Sequence, residues 1–387
     1  MPTATQHADD ESTDRRWSTS GLAELTGPPE AAPLGEPVGF LQRLDALTDR
    51  IASVSTTLGR TVEVDGPTEL VRRAWAMGLR RRGQVSCGGA THLVRAADGW
   101  FAVSLARPDD VELLPAWLAT PPGRHGTDAW TDVHASAAER TVDDLVSAGA
   151  LLGLPIAALP TRANINGASN INGASTTNGA SIADHGASAP ARQLRVVDLS
   201  SMWAGPLCGA VLAATGADVT KVELAGRPDG ARGGPSSLFD RLNAAKHHLE
   251  LDVSTTPGLR RLEELLRSAD VVIESSRPRA LRHLGIDADA LLREADHHTV
   301  WVSITGHGRT GDGANRVAFG DDAAVGGGLV AWSDDIPYFC ADAVADPLTG
   351  LTAAAAAMEA VAPGVVGVTA APALLDVAMV RVAAAFA

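Results

Sequence analysis

The sequence predicts an α/β protein: a Rossmann-like parallel-sheet domain with a smaller α+β domain before it. Three observations carry that prediction. In the second half of the chain, short apolar runs alternate with helical patterns at βαβ spacing. In the first half, two strand-like runs flank the hairpin signal Asp98-Gly99, with helical patterns on either side. Between them lies a stretch of a different texture, rich in Asn, Gly and Ser.

The elements follow in order. Residues 1–36 are polar and rich in Pro and Gly, the composition of a disordered terminus. Phe40, Leu41, Leu44, Leu47, Ile51 and Val54 recur at helical spacing over 38–58. A second helix is expected over 68–79, after the Gly66-Pro67 turn. These two helices form a segment, 37–80, expected to pack on the large domain. A small-residue loop over 84–90 leads to strands over 92–95 and 100–105, then helices over 111–118, 130–137 and 142–151. The block 81–162 reads as the small α+β domain.

Residues 163–190 contain NINGAS twice, then TTNGAS and IADHGAS. Three six-residue copies cannot build and cap a solenoid, so the stretch reads as a flexible linker. The large domain, 191–387, opens on a buried-strand run over 194–199. Helices over 205–215, 257–268 and 288–295 then alternate with strands over 218–224, 270–274 and 299–305. Ligands of such sheets bind at the carboxyl ends of the strands.

Composition excludes several functions. Hydrophobic residues at 45 % and charged residues at 20 % fit a soluble globular chain and exclude a wholly disordered one. A net charge of −14 disfavours a non-specific nucleic-acid binder, which needs Lys and Arg to neutralise phosphates. Aromatic residues at 4 % leave little for base stacking. Cys87, Cys208 and Cys340 form no CxxC pair and no zinc spacing, so no metal site is expected. Three dispersed cysteines, a polar acidic start and no run of about 18 apolar residues point to the cytoplasm. Only two lysines occur, Lys221 and Lys246, in a chain whose usual cation is Arg.

The turn after the first βαβ strand, DLSSMWAGP, contains neither GxGxxG nor a Walker A motif. A dinucleotide enzyme is therefore disfavoured. The stretch DLSSMWAGPLCGAVLAATGADVTKVE instead resembles the opening of the family III CoA-transferases, which include formyl-CoA and carnitine CoA-transferases and α-methylacyl-CoA racemase. Further matches follow in order: NAAK with the LELDV strand, ADVVIESSRP, SITGHGRTG, FGDDAAVGGGL, ADPLTGL with an Ala-rich helix, and LLDVAMV, matched to a helix. SCGGATHLVRAADGWFAVSL resembles the family's glycine loop and the start of its small domain, but here it precedes the βαβ half. The resemblance thus implies a circular permutation joined through the NINGAS stretch, and an interlocked homodimer.

The resemblance also implies site residues. Asp346 begins DPLTG as the family's nucleophilic Asp does; the plainer reading is a helix N-cap before Pro347. Asp342, one turn away, is the rival nucleophile. Asp321, followed by Asp322, occupies the place of a supporting acid or of a solvated loop residue. Gly320 stands where the racemase carries a His base. Gly88 and Gly89 fall in the glycine loop, whose amides could stabilise an oxyanion. Cys87 lacks a motif that would supply a base. Arg277, Lys246 and Arg227 are candidates for CoA phosphates, each with a plain surface role as the alternative. Trp203 either lines the thioester pocket or belongs to the core. His307, His247 and His248 read as polar or solvated residues.

The implied activity is transfer of CoA from an acyl-CoA to a carboxylic acid through an aspartyl anhydride and an aspartyl-CoA thioester. Alternatives are an acyl-CoA racemase or isomerase, or a silent acyl-CoA-binding paralogue; Trp203 replaces a glutamine of formyl-CoA transferase. No tightly bound cofactor is expected, with coenzyme A entering as part of the substrate. The expected partners are acyl-CoA and carboxylate small molecules, with neither nucleic acid nor membrane.

Overall fold

The computed structural model describes residues 15–119, 128–162, 193–365 and 371–387, together with the backbone of 174–176. After a short helical segment that includes the 3-10 turn Ala23–Leu25 come two longer helices, α1 (Phe40–Thr57) and α2 (Gly66–Met77). Asp65 caps α2 by accepting from the Thr68 amide at 3.2 Å, and Gly78 closes it in the left-handed conformation.

A three-stranded antiparallel sheet follows, β1 (Thr91–Arg95), β2 (Trp100–Ser104) and β3 (Ile156–Ala158), in the order β1-β2-β3. Thr91 pairs with Ser104 and Arg95 with Trp100. Between β2 and β3 come α3 (Pro108–Glu112), α4 (Leu114–Leu118), α5 (Ala129–Ala138) and α6 (Val142–Leu152). The helix expected over 111–118 is two short ones, with a proline in the first turn of each. This unit has its own core of Val94, Phe101, Val103, Trp117, Val133 and Leu145.

The main sheet contains β4 (Ala174–Thr176), β5 (Arg195–Asp198), β6 (Asp218–Leu224), β7 (His247–Leu251), β8 (Val271–Glu274), β9 (Val300–Thr305) and, near the C-terminus, β12 (Ala373–Ala378). Its order is β4-β12-β9-β8-β5-β6-β7. The six strands from β12 to β7 are parallel, and β4 pairs antiparallel at the edge. The helices are α7 (Ala204–Ala214), α8 (Ser236–Asn243), α9 (Thr256–Ser268), α10 (Pro278–His283), α11 (Ala288–Glu294), α12 (Gly320–Gly326), α13 (Ala345–Val365) and α14 (Met379–Ala384). A small hairpin, β10 (Val330–Ser333) with β11 (Ile336–Phe339), precedes α13. The chain reverses direction across the sheet between β5 and β8, which opens a crevice at their carboxyl ends.

The two halves share one core. Phe40, Leu44, Ile51 and Leu70 belong to the same buried cluster as Leu207, Val302, Leu348 and Leu351. Arg50 of α1 pairs with Glu359 of α13. Gly350 lets α13 approach α7, since a Cβ there would lie 2.6 Å from the Ala204 carbonyl oxygen.

Three expectations differ from the structure. Residues 15–36 are ordered where described: Trp17, Leu22 and Leu25 are buried, and the Trp17 indole donates to the Leu34 carbonyl at 3.0 Å. Few but well-spaced apolar residues suffice to dock that segment. LLDVAMV is not a helix throughout: it forms β12 and then starts α14, because Leu374, Leu375 and Val377 fill the sheet beside β9. Three residues of the NINGAS stretch pair with Leu375–Val377; the rest of it lies outside the described residues. Among the described residues, no helix is long and apolar enough to cross a membrane.

Candidate active site

The site begins on α2. Leu70, Val71 and Ala74 are buried on its inner face, and Arg73 projects beside them. Its Nη1 donates to both carboxylate oxygens of Asp342, at 2.9 and 3.0 Å. The Asp342 side chain is fully buried. Asp342 lies between β11 and α13, flanked by Ala341 and Ala343, both with positive φ. Each such alanine costs about 1–2 kcal/mol, so the loop must be held from outside. Thr26 Oγ1 accepts from the Ala341 amide at 3.0 Å, and Asp321 accepts from the Ala343 amide at 2.9 Å.

Asp346 follows in the first turn of α13. Its amide donates to the Ala343 carbonyl at 2.9 Å, so it sits inside the helix rather than at the N-cap. Its carboxyl group accepts from the Gly320 amide, and the residue as a whole keeps some exposure to solvent. A Cβ on Gly320 would lie 2.5 Å from Asp346 Oδ2 and 2.4 Å from the Ala343 carbonyl oxygen. The position of the racemase His therefore has no room for any side chain.

Asp321 and Asp322 occupy the first turn of α12. Ser86 donates to Asp321, Thr91 Oγ1 stands 3.5 Å from Asp321, and Ser104 donates to Asp322 at 3.0 Å. Thr91 and Ser104 are themselves bonded at 2.7 Å. The small sheet thus supplies a buried hydroxyl pair that spans two adjacent carboxyl groups.

Burial pushes Asp346 and Asp342 up to about 7, with Arg73 pulling against it and Asp321 adding to it. Asp321 is raised by burial against the same Arg73. Burial likewise carries Asp322 to about 7, although the Phe319 amide and Ser104 bond its charged form. Several carboxyl groups thus share one directly paired cation among the described residues, which opposes their full ionisation at neutral pH.

The glycine pair borders this cluster. A Cβ on Gly88 would lie 3.0 Å from Arg73 Nη2, and one on Gly89 would lie 2.4 Å from Arg82 Nη1. The Gly89 amide donates to the Ser86 carbonyl at 2.8 Å, so the turn itself consumes one of the two expected oxyanion donors. Cys87 is buried and its thiol is pushed up by burial and by Asp342, which disfavours a thiolate nucleophile.

The other predicted residues lie around the β5 crevice. Lys246 is sealed inside: its Nζ donates to Asp198 at 2.8 Å, to the Pro206 carbonyl at 2.8 Å and to Asn243 at 3.0 Å. All three ammonium protons are engaged, which leaves none for a CoA phosphate. Lys221 is equally buried, on Asp229 at 2.8 Å and the Ser200 carbonyl. Burial opposes the charge on Asp198, but Lys246 and Lys221 outweigh it and hold the carboxylate below its usual range. Trp203 precedes α7 and lies in the core beside Leu207 and Cys208. Arg227 is exposed after β6.

Arg277 is half-buried just before α10, at the carboxyl end of β8. Burial lowers its pKa, with Arg279 and Arg107 adding to the effect. Burial and Arg316 lower His307 to about 4, and its buried Nε2 has no partner among the described residues. His247 and His248 are exposed on β7.

Arg73, Ser86, Thr91 and Ser104 escaped the sequence reading. For Arg73 one signal exists: it stands three residues after Leu70, on the inward side of the helix.

Comparison with known proteins places these residues in context. The family model for CoA-transferase family III matches residues 192–387. An acyl-CoA transferase of Fusarium pseudograminearum is 32 % identical over 152 residues, 35 % of this chain and 33 % of that protein. A formyl-CoA:oxalate CoA-transferase of Escherichia coli is 30 % identical over 174 residues, 42 % of each chain. The match thus covers less than half the length of these relatives. A solved CAIB/BAIF family protein from Brucella suis is 29 % identical with a TM-score of 0.45, covering 51 % of this chain and 55 % of that one. The family model takes in half of the chain, including Asp321, Asp342 and Asp346, and on that ground the chain belongs to CoA-transferase family III.

Proposed function

We propose that this protein moves CoA from an acyl-CoA to a carboxylic acid, with Asp346 as the nucleophile. The observation that carries the reading is the contrast between two acids four residues apart. Both oxygens of Asp342 are bonded to Arg73, whereas Asp346 keeps some exposure and makes no bond to a described side chain. In this reading an Asp346 oxygen attacks the thioester carbonyl carbon, forming a mixed anhydride and releasing CoA thiolate. The thiolate attacks the aspartyl carbonyl, expels the first acid as a carboxylate, and leaves an aspartyl-CoA thioester. The acceptor carboxylate attacks that thioester to give a second anhydride and thiolate. Thiolate attack on the acceptor's acyl carbon then yields the new acyl-CoA and restores Asp346. Racemisation needs a second base, and Gly320 cannot be one.

The shared core and the joint site support a permuted family member, whose N-terminal half takes the place of the usual small domain. An interlocked dimer and a cytoplasmic location belong to the same proposal. Hydroxylamine added with an accepted acyl-CoA should leave a hydroxamate on Asp346, read by mass spectrometry, and Asp346→Asn should carry none. Labelling elsewhere, or fast exchange of the α-proton in D₂O without an acceptor acid, would refute the transferase reading.

For CoA itself, Arg277 is the cation best placed. It lies at the crevice with no acceptor among the described residues, whereas Lys246 is consumed internally. Arg277→Ala should weaken CoA binding about tenfold in low salt, with the difference shrinking as salt screens the phosphates. Equal affinities by calorimetry would remove Arg277 from the site.

A further inference from the structure

We infer that Thr26 is a positioning residue for the acid cluster: it holds Ala341 in the left-handed conformation from which Asp342 reaches Arg73. Its effect on turnover rests on the CoA-transfer reading. Its effect on the loop rests on geometry alone.

Three segments remote in sequence meet around Thr26. The Gly27 carbonyl accepts from the Gly83 amide at 3.2 Å, and the Gly83 carbonyl accepts from the Phe339 amide at 3.2 Å. The Cys87 thiol lies 3.5 Å from both the Leu25 and the Ala341 carbonyl oxygens. Thr26 is fully buried, and its hydroxyl works in both senses. It donates to the Leu22 carbonyl at 2.9 Å and accepts from the Ala341 amide at 3.0 Å. The bond to Leu22 spends the hydroxyl's only proton, so the oxygen meets Ala341 as an acceptor.

The alanines flanking Asp342 have φ of 57° and 45°, a conformation that side chains with a Cβ avoid. Each has its own anchor. The Ala343 amide is held by Asp321, a member of the cluster, and the Ala341 amide by a neutral hydroxyl from a segment outside it. Without that hydroxyl the Ala341 amide is buried with no acceptor, and a return to negative φ is the way out. That return would turn Asp342 off Arg73 and loosen the chain into α13, where Asp346 sits. Glycine at 341 adopts positive φ at little cost, so it should make the Thr26 anchor less necessary.

The test compares full-length wild type, Thr26→Val, Thr26→Ser, Ala341→Gly and the Thr26→Val, Ala341→Gly double variant. Amide exchange over 342–346 is read by mass spectrometry, the Asp346 hydroxamate by its rate of formation, and CoA affinity by calorimetry. Thr26→Val should speed exchange over 342–346 and slow the hydroxamate, each about tenfold, with CoA affinity within about twofold. Thr26→Ser, which keeps the hydroxyl, should stay within about twofold on every readout. With glycine at 341, Thr26→Val should cost no more than about threefold. A hydroxyl that served overall stability alone would speed exchange throughout the shared core and cost as much with glycine at 341. Unchanged exchange over 342–346 in Thr26→Val, no recovery in Thr26→Ser, or the full loss in the glycine background would each overturn the inference. Should Thr26→Val fail to fold, the double variant decides: it should fold, and its failure would also overturn the anchor. No hydroxamate in wild type would sink the CoA-transfer reading and leave the exchange rates to judge Thr26.

Discussion

Asp346→Asn should abolish CoA transfer and, in the same protein, raise the melting temperature at pH 8. The activity loss follows from removing the proposed nucleophile and should reach at least about a thousandfold. The stability gain follows from linkage. Folding raises this carboxyl from 3.8 to about 7, so the folded state resists its ionisation. Below pH 3.8 the group is protonated in both states and costs nothing. The cost grows between 3.8 and about 7 and is complete above that. Asparagine cannot ionise and still accepts from the Gly320 amide. Because neighbouring acids share the shift, the gain should be about 1–3 kcal/mol, or a few degrees, at pH 8. At pH 5 it should be clearly smaller. Thermal melts of both proteins at the two pH values test this, and an equal gap at pH 5 and pH 8 would remove the argument.

The second large effect concerns Arg73. In Arg73→Met, Asp342 stays fully buried and loses the only side chain bonded to it among the described residues. Breaking a buried pair from one side costs about 3–5 kcal/mol. The penalty should be largest at pH 8 and shrink at pH 5, where Asp342 takes a proton. Adding Asp342→Asn should recover most of the stability but not the turnover. Any activity left in the single variant should show its acidic limb at higher pH, since no other cation among the described residues is bonded to the cluster's carboxyl groups. A single variant as stable as wild type at pH 8, or a double variant no better than the single, would show that the pair does not hold the loop.

Much of this architecture is legible in the sequence because its signals are local. Strand 218–224 has the bounds read from its apolar run, and β1 and β2 flank Asp98-Gly99 as that dipeptide requires. Asp321 and Asp346 stand in motifs within one stretch of chain, with Asp342 shortly before the second. What the sequence does not display is long-range pairing. Arg73 and Asp342 are 269 residues apart, and helical periodicity alone does not distinguish an arginine facing solvent from one facing an acid. Lys246 misleads for the opposite reason. Rarity makes it conspicuous, but its partners Asp198, Pro206 and Asn243 meet only when α7 packs on the sheet. The dual character of LLDVAMV, strand and then helix, is fixed by its neighbour β9 rather than by its own composition.

The burial of both lysines has a chemical consequence for the proposed CoA transfer. Acyl-CoA thioesters and mixed anhydrides acylate free amines without any catalyst. Here each lysine nitrogen is paired with a carboxylate and closed off from solvent, Lys221 by Asp229 and Lys246 by Asp198. The other side-chain cations are guanidiniums, which stay protonated and are poor nucleophiles at neutral pH. The described surface therefore offers its own reagents no lysine amine. The same seal hides both lysyl bonds from a lysine-specific protease, so cleavage at 221 and 246 measures how often the β5 crevice opens.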